Sequence, residues 1–129
     1  MHPQGYATFD RTHFPFIKIT ITGTSATEEN FKAYLSDLSK NYAEKERIKI
    51  LFDASKATFP GFKFQKMQSD WIKENEHLMK NYCAGTAYVI PNAIIRTALN
   101  LIFKLQPQPV PYKVVSNQDD ANIWLQQLS

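Results

Sequence analysis

The residues of this chain best placed to do chemistry are Asp53 and Ser55, within "ILFDASKATFPGFKFQK" (Ile50 to Lys66). An apolar run ends at the carboxylate, and a hydroxyl follows two positions later. A carboxylate at a strand end can orient a base or bind a ligand, and a serine can act as a nucleophile or take a phosphate. The same two side chains also suit a plain turn, in which both accept backbone N–H groups. Nucleophilic catalysis lacks its usual setting. No histidine is near in sequence, although triads assemble in space, and no Gly-x-Ser-x-Gly elbow is present. The expectation is a protein that is not an enzyme, with no catalytic residue assigned.

Metal and cofactor chemistry has little support either. His2, His13 and His77 lie far apart, and Cys83 is the only cysteine. None falls at ligand spacing, so no metal and no cofactor are expected. Cys83 opens an apolar run and reads as a small buried residue. "GTSAT" (Gly23 to Thr27) has too few glycines for a phosphate loop, and no Lys-Ser/Thr pair follows it.

Aromatic and aliphatic residues carry the stronger signal. Phe59, Phe62 and Phe64 fall within six positions, in and just after a loop. Phe64 belongs to a helical apolar stripe, but periodicity does not account for Phe59 and Phe62. They plug the core, line a pocket or present a partner surface. In "NAIIRTALNLIFKL" the polar stripe is narrow: Arg96, Asn100 and Lys104. The apolar arc is wider than a helix on one sheet face needs. Ile95, Leu99 and Phe103, spaced by four, are therefore expected to meet a ligand or another subunit. The candidate ligand-binding set is Asp53, Ser55, Phe59, Phe62, Ile95, Leu99 and Phe103. Asp53 and Ser55 form the rim of the pocket, and the two phenylalanines fold over it as a lid, with Gly61 permitting the tight turn.

These residues need elements to hold them. "YATF" and the alternating "FPFIKITITG" predict an antiparallel hairpin turned at "DRTH". Ser25 and Glu28 make a capping-box pattern for a helix carrying Phe31, Leu35, Leu38 and Tyr42. "RIKILFDA" is a buried strand, and "FKFQKMQSDWIKENEHLMKNY" (Phe62 to Tyr82) a second helix with Phe64, Met67, Trp71, Leu78 and Tyr82 on one side. "AGTAYVI" is a strand, "NAIIRTALNLIFKL" a third helix and "YKVV" the last strand. Ser116 is the expected cap of a closing helix, with Asp119 and Asp120 at its positive end. Four main helices alternating with strands predict an α/β fold, mostly parallel after the hairpin, with right-handed crossovers. Ligands on such sheets sit beyond the strands' carboxyl ends, where strand order switches.

The totals narrow the class. With 129 residues, 43% hydrophobic and 21% charged, the chain is expected to be a single globular domain over residues 1–129. The net charge of +3 is spread without a basic block, so no nucleic-acid partner is expected. No run reaches the roughly 18 apolar residues of a membrane span. No secretory signal is evident in "MHPQGYATFDRTHF", and with one cysteine a cytoplasmic location is expected.

The element order, "ILFDAS", "GTAYVIPNAIIRTALNLIFKL" and "PYKVVSNQDDANIWLQQL" together resemble the SpoIIAA-like proteins of the STAS fold, from about Tyr6 to Leu128. That group shares features with CRAL-TRIO lipid-carrier domains. The resemblance implies a STAS-like mixed sheet and two possible roles. One is a carrier or sensor of an apolar or lipid-like molecule. The other is an interaction module of the anti-sigma-factor-antagonist type, with a homodimer or a regulatory protein as partner. Antagonists carry a phosphorylated serine about eight residues after the Asp that ends the third strand. Here that place is "GFKF" (Gly61 to Phe64), which has no hydroxyl.

Overall fold

A computed structural model describes residues 5–128. Strands β1 (Ala7–Asp10) and β2 (Phe16–Ile21) form the antiparallel hairpin, with Ala7 opposite Ile21 and Asp10 opposite Lys18. Strands β3 (Ile48–Asp53), β4 (Cys83–Val89) and β5 (Tyr112–Val115) extend the sheet in parallel. The order is β1-β2-β3-β4-β5. Each parallel strand is laid down beside the last, always in the same direction. Right-handed crossovers then place every connecting helix on one face. These are α1 (Glu28–Lys40), α2 (Phe62–Glu74), α3 (Glu76–Tyr82) and α4 (Ala93–Leu105). Helix α5 (Gln118–Gln126) packs on the opposite face, against β3, β4 and β5.

Two corrections to the expected architecture follow. The strand order never reverses, so the sheet has no switch-point crevice. The second helix is also two helices, which makes five among the described residues. Asn75 breaks it, with φ −110° and ψ 12°. Both its backbone N–H and its side-chain Nδ2 donate to the Trp71 carbonyl, at 3.0 and 2.9 Å. Asparagine competes with the helix ladder in this way because its amide reaches local backbone groups.

Strand alternation divides the core. Ile17, Ile19, Ile21, Ile48 and Ile50 face the four-helix side and pack with Phe31, Tyr34, Leu38, Ile72 and Ile95. Leu51, Ala87 and Val89 face α5 and pack with Ala121 and Leu125. Burial of each large side chain is worth roughly 1.5–3 kcal/mol. Two helix starts differ from expectation. Thr27 caps α1, not Ser25, in a reciprocal pair of hydrogen bonds with Asn30. Asn117 caps α5, not Ser116, and accepts from the Asp120 N–H at 2.9 Å.

Candidate functional site

An apolar cavity lies between the sheet and helices α1 to α4. Its floor is the inward set of β2, β3 and β4: Ile19, Ile21, Ile50, Phe52, Thr86 and Tyr88. Phe31, Tyr34 and Leu38 on α1 and Phe64, Trp71 and Ile72 on α2 supply walls. Ile95, Ala98, Leu99, Ile102 and Phe103 on α4 complete it. The space open to the centres of water-sized molecules is about 110 Å³. An engineered apolar cavity of about 150 Å³ stays dry and takes up benzene, so this one suits a compact apolar body.

Aromatic rings frame the space in a continuous run. Phe64 meets Phe31 at 5.3 Å between centroids, and Phe31 meets Tyr34 at 5.2 Å. Tyr34 reaches Phe52 at 6.4 Å, Phe52 reaches Tyr88 at 5.4 Å, and Tyr88 reaches Phe103 at 6.0 Å. Edge and tilted contacts of this kind add to simple burial and stiffen the wall. Burial raises the pKa of the Tyr6, Tyr34, Tyr42 and Tyr88 hydroxyls, so all four stay neutral.

Three of the residues expected from sequence stand in this wall: Ile95, Leu99 and Phe103. Ile95 is buried and the other two are half-buried. Ala98 and Ile102 are buried beside them, while Ile94, Leu101 and Leu105 of the wide apolar arc of α4 are left exposed.

Asp53 and Ser55 are placed elsewhere. Phe52 projects into the cavity, so Asp53, one residue on, projects to the opposite face. It is only 8% exposed. Its Oδ1 accepts from the Ser55 backbone N–H at 2.9 Å, and its Oδ2 accepts from Gln118 Nε2 at 2.8 Å. Lys18 Nζ donates to Gln118 Oε1 at 3.2 Å. Burial alone raises the Asp53 pKa, but the hydrogen bonds from Ser55 and Gln118, helped by the Lys18 charge, outweigh it and hold the carboxyl below its usual value. This network ties the start of α5 to the sheet; it is not a rim of the cavity.

The phenylalanine loop also departs from expectation. Phe59 is 47% and Phe62 67% exposed, and neither lines the cavity. Their loop neighbours Ala57, Thr58 and Pro60 do line it. Gly61 has φ −65°, which any residue adopts, and a Cβ there would meet nothing within 4 Å. The turn does not require glycine. What holds the loop is Gln65, buried, whose Nε2 donates to the Pro60 carbonyl at 2.8 Å.

Sequence reasoning missed the polar members of the wall, Asn41, Gln68 and Gln108. Gln68 Oε1 accepts from the Tyr34 hydroxyl at 2.9 Å, and Gln108 Nε2 donates to the Tyr88 oxygen at 2.7 Å. No periodicity marks these positions. For Asn41 and Gln108 the one signal available was a polar residue at the end of a helix and another in a Pro-rich linker; Gln68, in the middle of α2, gave none.

The other candidates resolve simply. His13 and His77 are exposed, and His77 Nε2 lies 3.0 Å from Asn81 Nδ2. His2 lies outside the described residues. Cys83 is buried beside the Thr86 hydroxyl, and burial pushes its thiol pKa up. Among the described residues no cluster of His, Cys, Asp and Glu could hold a metal ion. No described helix is long and apolar enough to cross a membrane.

No protein-family model matches the chain, and no curated protein sequence matches it. The architecture has a solved counterpart in an uncharacterised protein of the DUF3478 family from Shewanella loihica, described as having a SpoIIAA-like fold. The two superpose with a TM-score of 0.67 at 14% identity, over 97% of this chain and 98% of the other. The fold is SpoIIAA-like. Within it, the place that the resemblance gives to an antagonist's phosphorylated serine is occupied by Gly61 and the first turn of α2, Phe62, Lys63 and Phe64.

Proposed function

We propose that this SpoIIAA-like protein is a non-enzymatic carrier or sensor that holds a compact apolar molecule between its sheet and helices α1 to α4. The observation that carries this reading is the cavity, walled almost wholly by aliphatic and aromatic side chains. Cores normally close to the density of organic crystals, and a void forfeits dispersion contacts around its lining. A wall of this composition recovers them when an apolar guest enters. Thr58 is an exposed member of the wall, which makes the loop between β3 and α2 the entrance. Asp53 and Ser55 serve as structure, and Cys83 is too buried to act as a nucleophile.

Native mass spectrometry of freshly purified protein, followed by titration with an apolar fluorescent dye, tests the reading. Retained small-molecule mass, or stoichiometric dye binding that Leu99→Trp abolishes, supports it. A ligand-free monomer that binds no dye overturns it. The outward stripe Ile94, Leu101 and Leu105 supports a second reading, an antagonist-type module that docks a protein through α4. A stable dimer without ligand in the same spectrum favours that alternative.

A further inference from the structure

The cavity wall narrows the chemistry of its guest. Among the described residues its lining contains no Lys, Arg, His, Asp or Glu. A charged group drawn inside would lose its hydration and find no counter-ion, which disfavours ions of either sign. Most polar groups of the wall are already paired, Tyr34 with Gln68 and Gln108 with Tyr88. Two buried polar atoms have no hydrogen-bond partner among the described residues: Asn41 Nδ2 and Gln108 Oε1. Both residues line this one cavity.

Asn41 is the more telling of the two. It is 2% exposed, at the end of α1. Arg11 Nε donates to its Oδ1 at 3.0 Å, and the same guanidinium donates to the Asp37 carbonyl at 2.9 Å. A guanidinium has only donors, so it fixes which end of the Asn41 amide is oxygen. The other end is therefore a donor, buried and unspent. Buried donors without acceptors are rare because each forfeits the hydration it gave up.

We propose that the guest is an uncharged, largely apolar molecule bearing a hydroxyl, recognised by Asn41 and Gln108. This rests on the ligand-binding reading above. Asn41 Nδ2 needs an acceptor, whereas the Gln108 amide, paired at one end with a Tyr88 hydroxyl that can either donate or accept, leaves its other end open to a donor or an acceptor. A hydroxyl satisfies either one. A carboxylate, an ether or a ketone only accepts, and an ammonium only donates. The room of about 110 Å³ limits the enclosed part to a single ring or a short chain.

Phenol, toluene and benzoate are three probes of similar size that separate these demands. Their binding to the full chain at pH 7 is measured by titration calorimetry and by ligand-observed NMR. Phenol is expected to bind roughly tenfold or more tightly than toluene, the return on satisfying one buried group, and benzoate not to bind detectably. Gln108→Leu and Asn41→Leu should each shrink the preference of phenol over toluene. Gln108 is half-buried and touches no guanidinium, so its variant decides the matter if Asn41→Leu fails to fold. Equal affinity for phenol and toluene in the parent protein overturns the proposal and assigns the two atoms to bound water, while leaving the apolar-carrier reading intact. Preferred binding of benzoate overturns it as well. Failure of all three probes and of the apolar dye removes the carrier reading itself, and this inference with it.

Discussion

Asp53 and Gln118 are joined by a 2.8 Å hydrogen bond across 65 residues of sequence, on the side of the sheet away from the cavity. The carboxylate sits beside the first turn of α5, where the positive end of the helix favours a negative group. Its pKa in the folded protein lies below the ordinary value of 3.8. A depressed folded-state pKa means that the stabilisation is complete above the unfolded pKa and is lost as pH falls through the folded one.

Asp53→Asn should therefore be less stable than the parent at pH 7, by roughly 1.5–3 kcal/mol for a charge-assisted hydrogen bond. The deficit should shrink as pH falls below about 4, the unfolded value, and be lost as pH falls through the depressed folded-state pKa. Urea melts across that range check it. A deficit that stays constant down to pH 2 would mean that shape, not charge, is what Asp53 contributes.

Lys49 is the other tether of α5. From β3 its Nζ donates to the carbonyls of Leu125 and Leu128, at 2.9 and 2.8 Å. These are orphan acceptors at a helix C-terminus, where a cation is also favoured by the helix dipole. Lys49→Met keeps the length and removes both bonds. It is expected to cost about 1–2 kcal/mol and to raise hydrogen exchange in α5 more than in α1. Uniform exchange across the chain would show that Lys49 is not the clasp.

Gly85 sets how closely α5 approaches the sheet. A Cβ on it would meet Leu128 Cδ1 at 2.6 Å, the Pro111 carbonyl oxygen at 3.0 Å and Trp124 Cη2 at 3.1 Å. Leu128 can swing away, but the backbone oxygen is fixed by its hydrogen bond from Thr86. Gly85→Ala is expected to destabilise by about 1–3 kcal/mol through overpacking and to shift Trp124 fluorescence. An unchanged melting temperature would show that α5 can slide outward at no cost.

Much of the fold was legible because period-two alternation and helical spacing are local signals. "FIKITI" declares its faces by alternation alone, and β2 follows it residue by residue. The break at Asn75 was not legible, since an asparagine within a helical pattern does not announce whether its amide will take the Trp71 carbonyl. For the candidate site the outcome divides by kind of reasoning. Ile95, Leu99 and Phe103 emerged from an over-wide apolar arc, a property of the helix itself. Asp53 was grouped with the phenylalanine loop because they are close in sequence, and strand alternation sends it to the other face. Asn41 is brought to Arg11 across 30 residues, a pairing that only the folded chain creates.

Phe59 and Phe62 offer the last test. They lie on the loop that contributes Thr58 and Pro60 to the wall, yet their own rings point to solvent. Exposed rings beside an entrance suit a landing surface for an apolar guest better than a wall around it. Replacing both with serine removes about half a buried ring at Phe59 and a third of one at Phe62, so stability should fall by only roughly 1–2 kcal/mol. A landing surface speeds arrival without adding contacts to the bound state. Association of an apolar dye should then slow severalfold in the double variant, with dissociation slowed in proportion, leaving affinity within about twofold. Stopped-flow mixing separates the two rates. Faster dissociation at an unchanged association rate would show the reverse: that the two rings close over the guest once it is bound and form its lid.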